Sequence, residues 1–389
     1  MKQLPHLCLA LLCALPARAQ SEAPPKPAPS NVMNAQYPAI HSDGRVVFRM
    51  RAPTATKVQL QPGGNDNGLG RGPIDLDRET NGTWSLTLSN AVPGFHYYWF
   101  LVDGTQVNDP ASETFFGWAR QTSGIEIPWK GEDFDAAKDV PHGQTRIEWY
   151  RSKTTGAMRR AMVYTPPDYD KDVQKRYPAL YLQHGAGENE TGWTEQGHLN
   201  FILDNLIAEG KATPMIIAMD HGYASRPGEA PQRGGRGGGG TPGPSAFESV
   251  LVDDLIPLVQ SKYRALSDRE HRAIAGLSMG SGQARTIGLR NLDKFSALGL
   301  FSGSAITGDL ATINNGVFAN AEEFNQKVKL LMMTGGTVET NVVNTMKTSD
   351  SLLGQAGIRH QIYFSEGTSH EWHTWRRSLH QFAQQLFKP

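Results

Sequence analysis

A serine set between two glycines, in Gly276-Leu277-Ser278-Met279-Gly280, is the pattern best suited to chemistry in this 389-residue chain. Residues 272–275 before it read as a short buried strand, and residues 283–289 after it as the start of a helix. Glycine at both flanks lets strand and helix approach closely while the serine takes a strained backbone conformation that exposes its Oγ. The helix that follows aims its positive end at the place where an oxyanion would develop. The chemistry implied is attack by Ser278 on an acyl carbon, with the Met279 amide as one oxyanion donor.

A serine hydroxyl is a weak nucleophile, so this reading requires a histidine and an orienting carboxylate, in the chain order Ser…Asp/Glu…His. Residues 361–364 read as a final strand that runs into Glu366-Gly367-Thr368-Ser369-His370. After this loop Trp372, Trp375, Leu379, Phe382 and Leu386 recur at helical spacing as a core-facing stripe. His370 is thereby placed at a strand end as the base, and His373 and His380 are left as surface or packing residues. The spacing of His370 and His373 is not that of a metal-binding H-E-x-x-H helix, and neither a metal nor another cofactor is expected. Glu339 is the chosen acid, in the turn after a buried strand at 329–333. Its alternative role is to cap the next helix. Asp309 and Asp350 are the other candidates in order, whereas Asp220 would violate the order.

A second oxyanion donor is expected from the loop after an earlier strand. Residues 178–183 form such a strand, and the following small residues point to the backbone of Ala186, with Gly187 in reserve. Glu190 and Trp193 either line an acyl or sugar pocket or serve as a loop salt bridge and a core indole. Gln283, in the helix after the elbow, is assigned to substrate binding.

The run Tyr181-Leu182-Gln183-His184-Gly185 through Trp193, residues 247–257, the elbow, and His370-Glu371-Trp372 near Trp375-Arg376 together resemble the esterase D-like family. More narrowly they resemble bacterial feruloyl and acetyl-xylan esterases of carbohydrate esterase family one, over nearly the whole chain. Members usually carry Gly-Thr-x-Asp where this chain has Gly336-Thr337-Val338-Glu339, so the resemblance gives the acid role to Glu339 with a change of residue type. Ser281 stands where a further glycine is common.

The elements that must position these residues fall into two units. Strands alternating with helices over residues 146–389 fit an α/β-hydrolase sheet. Residues 36–128 show short β-type runs divided by turns, with Asp103-Gly104 as a hairpin turn, and predict a β-sandwich. This unit resembles the immunoglobulin-like early-set module, related to glycogen-binding modules. Its Trp84, Tyr97 and Trp99 are expected in its own core, and Phe115, Phe116 and Trp118 against the catalytic unit. Residues 129–145 read as a linker between the two. Residues 1–19 read as a signal peptide holding both cysteines, Cys8 and Cys13, and residues 20–35 as an extended proline-rich tether. The insert at 226–244 reads as a glycine-rich loop on the active-site rim, a flexible lid or a plain insertion.

With 38 basic and 38 acidic side chains, no charge imbalance points to nucleic acid, and no stretch beyond the leader is long and apolar enough to span a membrane. The expectation is a secreted or periplasmic serine esterase acting on feruloyl or acetyl esters of arabinoxylan. Enterochelin-type siderophore esterases, which share both units, are the alternative. A hydrolase fold that has lost activity and only binds carbohydrate is the alternative of another class.

Overall fold

The computed structural model describes residues 23–64, 68–230, 244–303 and 306–388. The expected signal peptide with its two cysteines, and the centre of the glycine-rich insert, lie outside the described residues. The feet of that insert are tied together, since Arg226 donates to the Pro244 carbonyl at 2.9 Å.

The C-terminal unit is built on eight strands: β1 (Gln144–Arg151), β2 (Met158–Thr165), β3 (Ala179–Gln183), β4 (Ile216–Asp220), β5 (Arg272–Leu277), β6 (Ala297–Phe301), β7 (Leu330–Gly336) and β8 (Gln361–Ser365). Their order is β1-β2-β4-β3-β5-β6-β7-β8. From β4 to β8 neighbours run parallel, while β1, β2 and β4 pair antiparallel. Strands β3 to β7 are buried at every residue, which is why they read as unbroken apolar runs, whereas the edge strand β1 alternates. This is an α/β-hydrolase-like sheet covered on both faces. One face packs the helix Met279–Arg290 through Ala284 and Ile287. The other packs the helices Leu199–Ala208 and Trp372–Ala383. The expected stripe Trp372, Trp375, Leu379, Phe382 and Leu386 is buried as its spacing implies. The loops that follow β3, β4, β5, β7 and β8 collect at the carboxyl edge of the parallel strands, where open α/β sheets place their ligands.

Ahead of this unit, two antiparallel sheets pack face to face. One contains Val46–Arg51 and Thr83–Leu88, the other Val58–Pro62, Gly94–Val102 and Arg120–Ile127. Phe48, Leu60, Trp84, Tyr98, Phe100 and Ile125 fill the space between them. The turn at Asp103 and Gly104 has φ of 48° and 83°, the left-handed geometry of a tight two-residue hairpin. Three expectations fail here. The proline-rich segment is not a free tether over its described part, because Lys26–Pro27 pairs with Ala39–Ile40 at the edge of the first sheet, a position that tolerates proline's missing N–H. Tyr97 is not in the sandwich core. The strand Gly94–Val102 is buried on both faces: Tyr98 and Phe100 point into the sandwich, and Phe95 and Tyr97 join the apolar cluster of the C-terminal unit. Trp99 is also outside the sandwich core, with the Arg120 guanidinium 4.7 Å from its ring centroid.

Residues 129–145, read as the linker, pack as a seam between the two units. Trp129 stacks on His373 with centroids 4.4 Å apart, and Asn205 donates to the carbonyls of Phe134 and Ala136. Arg376, on the last helix and 1% exposed, donates to Glu126 of the sandwich at 2.9 and 3.0 Å and to Asp135 of the seam at 2.9 Å. Removing one partner of a buried charge cluster strands the others, so Arg376→Ala is expected to lower unfolding free energy by about 3 kcal/mol. Chemical denaturation of the variant beside the parent protein measures this.

Candidate active site

The elbow is held open by two close approaches. A Cβ on Gly276 would lie 2.5 Å from the Gly280 backbone, and one on Gly280 would lie 2.6 Å from the His184 carbonyl oxygen, so neither position accepts a side chain. Between them Ser278 sits at φ 52°, ψ −112°, a backbone region that non-glycine residues avoid. The helix begins at once, at Met279, four residues earlier than its sequence suggests, and so leaves the Met279 N–H without a partner within the helix.

His370 Nε2 lies 3.0 Å from Ser278 Oγ, and His370 Nδ1 lies 2.6 Å from Glu339 Oε2. With a carboxylate at Nδ1, the neutral ring carries its proton there and presents Nε2 as an acceptor to the serine. Glu339 does not cap the helix Thr340–Gln355, since its side chain makes no capping bond. Its Oε1 accepts instead from the Ser302 hydroxyl at 2.6 Å and from the Gly336 N–H at 2.8 Å. Burial alone would raise this carboxyl's pKa. The bond and charge of His370, with the Ser302 and Gly336 donors, outweigh it and hold the group below the ordinary carboxylate value, so it remains ionised. The competing acids are engaged elsewhere: Asp350 with His360 at 3.0 Å, Asp220 with Arg159 and Tyr150, and Asp309 with the start of its own turn.

The loop after β3 runs beside the elbow. Ala186 is exposed there, while the Gly187 N–H donates to the Tyr223 hydroxyl at 2.8 Å, which leaves Ala186 the better placed of the two candidate donors. His184 is a brace: its buried ring accepts the Gly222 N–H at 2.8 Å, and burial pushes its pKa down to about 3. Three residues assigned to substrate make contacts with the scaffold. Trp193 is 1% exposed and donates to the Gln183 carbonyl at 2.9 Å, a core indole. Glu190 is buried and paired with Arg160 at 2.5 Å, the loop salt bridge. Gln283 donates to the Gly222 carbonyl at 2.8 Å and pins the loop after β4. In each case a polar or aromatic side chain near the rim found a partner in the scaffold, which the sequence alone does not reveal.

Beside His370 is a cavity of about 250 Å³, lined by Gly63, Gly64, Tyr97 and Trp118 of the sandwich and by His370 and Trp375. Trp118 is 51% exposed, although its backbone abuts Gly187, whose carbonyl accepts the Ala119 N–H at 2.8 Å. The sequence points Trp118 to the C-terminal unit but carries no sign that it borders this cavity. Ser302, Tyr223 and Tyr97 carried no local signal of their place near the site. Among the described residues no cluster of three or more metal-ligating side chains occurs.

Residues 152–386 match the Putative esterase family. The chain is 39% identical over 367 residues to an endo-1,4-beta-xylanase/feruloyl esterase of Xylanibacter ruminicola, an alignment that covers 93% of this chain and 47% of that protein. The chain thus spans less than half the length of that relative. A ferulic acid esterase from Anaeromyces mucronatus, solved with ferulic acid, superposes with a TM-score of 0.54 at 25% identity, covering 66% of this chain and 95% of that one. The enterobactin esterase of Shigella flexneri shares the fold at a TM-score of 0.59 and 15% identity, over 88% of this chain and 92% of its own.

Two measurements probe this geometry. Both Ser278→Ala and Ser278→Gly remove the hydroxyl, but only glycine relieves the positive φ, so the glycine variant is expected to be the more stable by about 1 kcal/mol in denaturant unfolding. Equal stabilities would show that the turn stores no strain. The second concerns Glu371, whose pKa burial pushes up to about 7, with Glu339's charge adding and the Ser369 N–H and Arg377 opposing. Its neighbour His96, 3.7 Å away, is pushed down to about 4 mainly by burial and is uncharged at neutral pH, so the contact is not an ion pair there. A carboxyl raised in the folded state binds its proton more tightly there, so its contribution to stability is lost as pH rises through about 7. Between about pH 5 and about pH 8 the Glu371→Gln variant should therefore lose less stability than the parent protein in thermal unfolding.

Proposed function

Because the chain belongs to the Putative esterase family, we propose that it is a serine carboxylic ester hydrolase acting on plant cell-wall polysaccharide, at feruloyl or acetyl esters of arabinoxylan. The observation that carries the reading is the unbroken hydrogen-bonded line from Ser278 through His370 to Glu339, at 3.0 and 2.6 Å. Ser278 Oγ attacks the ester carbonyl as His370 Nε2 takes its proton, and the carbonyl oxygen becomes an oxyanion facing the N–H groups of Met279 and Ala186. The intermediate collapses to an acyl-enzyme as the bond to the sugar oxygen breaks and His370 gives that oxygen its proton, releasing the sugar with a free hydroxyl. Water then repeats the cycle: His370 takes its proton, the hydroxide attacks the acyl carbon, and Ser278 leaves with the proton returned. Glu339 remains an anion that holds the ring in one tautomer and stabilises its cationic form. The substrate class is supported by the likeness to the Xylanibacter ruminicola enzyme and to the ferulic acid esterase.

The remaining assignments belong to the same reading. Residues 1–19 would be a signal peptide that directs secretion, and residues 36–128 an immunoglobulin-like module ahead of the hydrolase unit at 146–389. The siderophore reading rests on fold likeness alone, and an inactive binding protein would have no need of an aligned Ser, His and Glu.

Incubation with methyl ferulate, p-nitrophenyl acetate and a ferric-siderophore ester side by side tests the proposal. Turnover of the ferulate or acetate ester is expected, and preferential cleavage of the siderophore would replace this reading with the alternative. Glu339→Gln, which keeps the geometry but loses the charge, is expected to lower kcat by roughly three to four orders of magnitude. An effect below tenfold would remove Glu339 from the mechanism.

A further inference from the structure

Resting on the esterase reading above, we propose that Tyr97 of the sandwich and Glu188 form a positioning pair that holds the oxyanion-forming loop, residues 185–187, in register with Ser278. The loop's own residues, Gly185, Ala186 and Gly187, have no side chain with which to anchor it. Its backbone is fixed from outside: the Gly185 N–H donates to Glu188 Oε2 at 3.0 Å, and Tyr223 and Ala119 hold the two sides of Gly187. The other oxygen of Glu188 accepts the Tyr97 hydroxyl at 3.1 Å. That hydroxyl also receives Gln196 Nε2 at 2.6 Å and Trp372 Nε1 at 3.4 Å. Trp372 opens the helix that follows His370. One phenolic oxygen therefore ties the loop that would hold the oxyanion to the segment that carries the base.

The chemistry of Glu188 fits this role better than a packing role. It is 5% exposed, and its hydrogen bonds run to the Gly185 N–H and the Tyr97 hydroxyl rather than to a cation. Burial pushes its pKa up to about 7, against the opposing effects of the Gly185 N–H, the Tyr97 hydroxyl and the His370 charge. A buried carboxyl of this kind is costly where an apolar residue would fill the same space. What it supplies is a two-sided acceptor, one oxygen for the loop and one for the sandwich. Nor is there slack for the loop to settle otherwise: a Cβ on Gly185 would lie 2.5 Å from Leu277, the residue before the nucleophile, and 3.2 Å from Glu188 Oε2. A displaced loop would leave binding of the neutral ester largely intact and weaken the contact made only when charge develops on its oxygen.

The test compares the parent protein with Tyr97→Phe, Glu188→Gln and the double variant on methyl ferulate and p-nitrophenyl acetate, with thermal unfolding measured on each. Each single variant is expected to lower kcat by about tenfold with KM within about twofold, and the double variant to be no slower than the slower single one, since both break one clasp. Tyr97→Phe removes a single oxygen and keeps the packing, so it remains informative should Glu188→Gln fold poorly. An unchanged kcat in Tyr97→Phe, with or without a lowered unfolding midpoint, would reduce the pair to scaffold and overturn the proposal. Losses that multiply in the double variant, or that appear only in KM, would do the same. A parent protein inactive on every ester overturns the esterase reading and this inference together, whereas an active parent with an unaffected Tyr97→Phe overturns the inference alone.

Discussion

Contact between β5 and the helix behind it is the constraint from which the rest of the site follows. The two elements meet at Gly276 and Gly280 with no room for a Cβ on either, and the turn that joins them holds Ser278 at a positive φ. Such a turn persists only if its surroundings over-determine it. Here they do so with backbone: the Ser278 N–H donates to the Phe301 carbonyl at the end of β6 at 2.9 Å, and the close approach of Gly280 to the His184 carbonyl wedges the helix against the loop after β3. The same contacts that strain the serine therefore fix the distance between it and the two loops that would flank a reacting carbonyl.

The carboxylate of Glu339 shows how the environment of an acid decides its behaviour. Two donors on one oxygen and an imidazole on the other keep it ionised despite burial. Glu371, in the loop after the next strand but also buried, has one backbone donor, lies near the negative charge of Glu339, and is pushed up to about 7. Residue type alone does not separate these two glutamates. The number and charge of their partners does.

Much of the architecture was legible because burial leaves a period in the sequence. The unbroken runs of the central strands, the glycine-flanked serine and the stripe of the last helix each mark an element directly, and Ser278 and His370 stand at element ends where loops gather. Glu339 is marked in the sequence by its place after β7 rather than by its residue type. Trp193, Glu190 and Gln283 illustrate what is not legible: each lies near the rim, and its orientation depends on Gln183, Arg160 and Gly222, partners set by tertiary packing. Tyr97 was misplaced for a related reason. An aromatic run in which every residue is apolar does not say that its two faces serve different cores.

That strand, Gly94–Val102, has a consequence for the independence of the two units. Its alternate residues are shared out, Tyr98 and Phe100 to one core and Phe95 and Tyr97 to the other. Loss of the sandwich would strip side chains from the interior of the C-terminal unit, and loss of the C-terminal unit would leave one face of the strand in water. Linked further by Arg376 and the seam at 129–145, the halves are expected to melt as a single cooperative body rather than as two beads on a string. Modularity in the sequence is thus not modularity in the fold: the front unit of this chain is less an interchangeable attachment than a wall of the C-terminal unit itself.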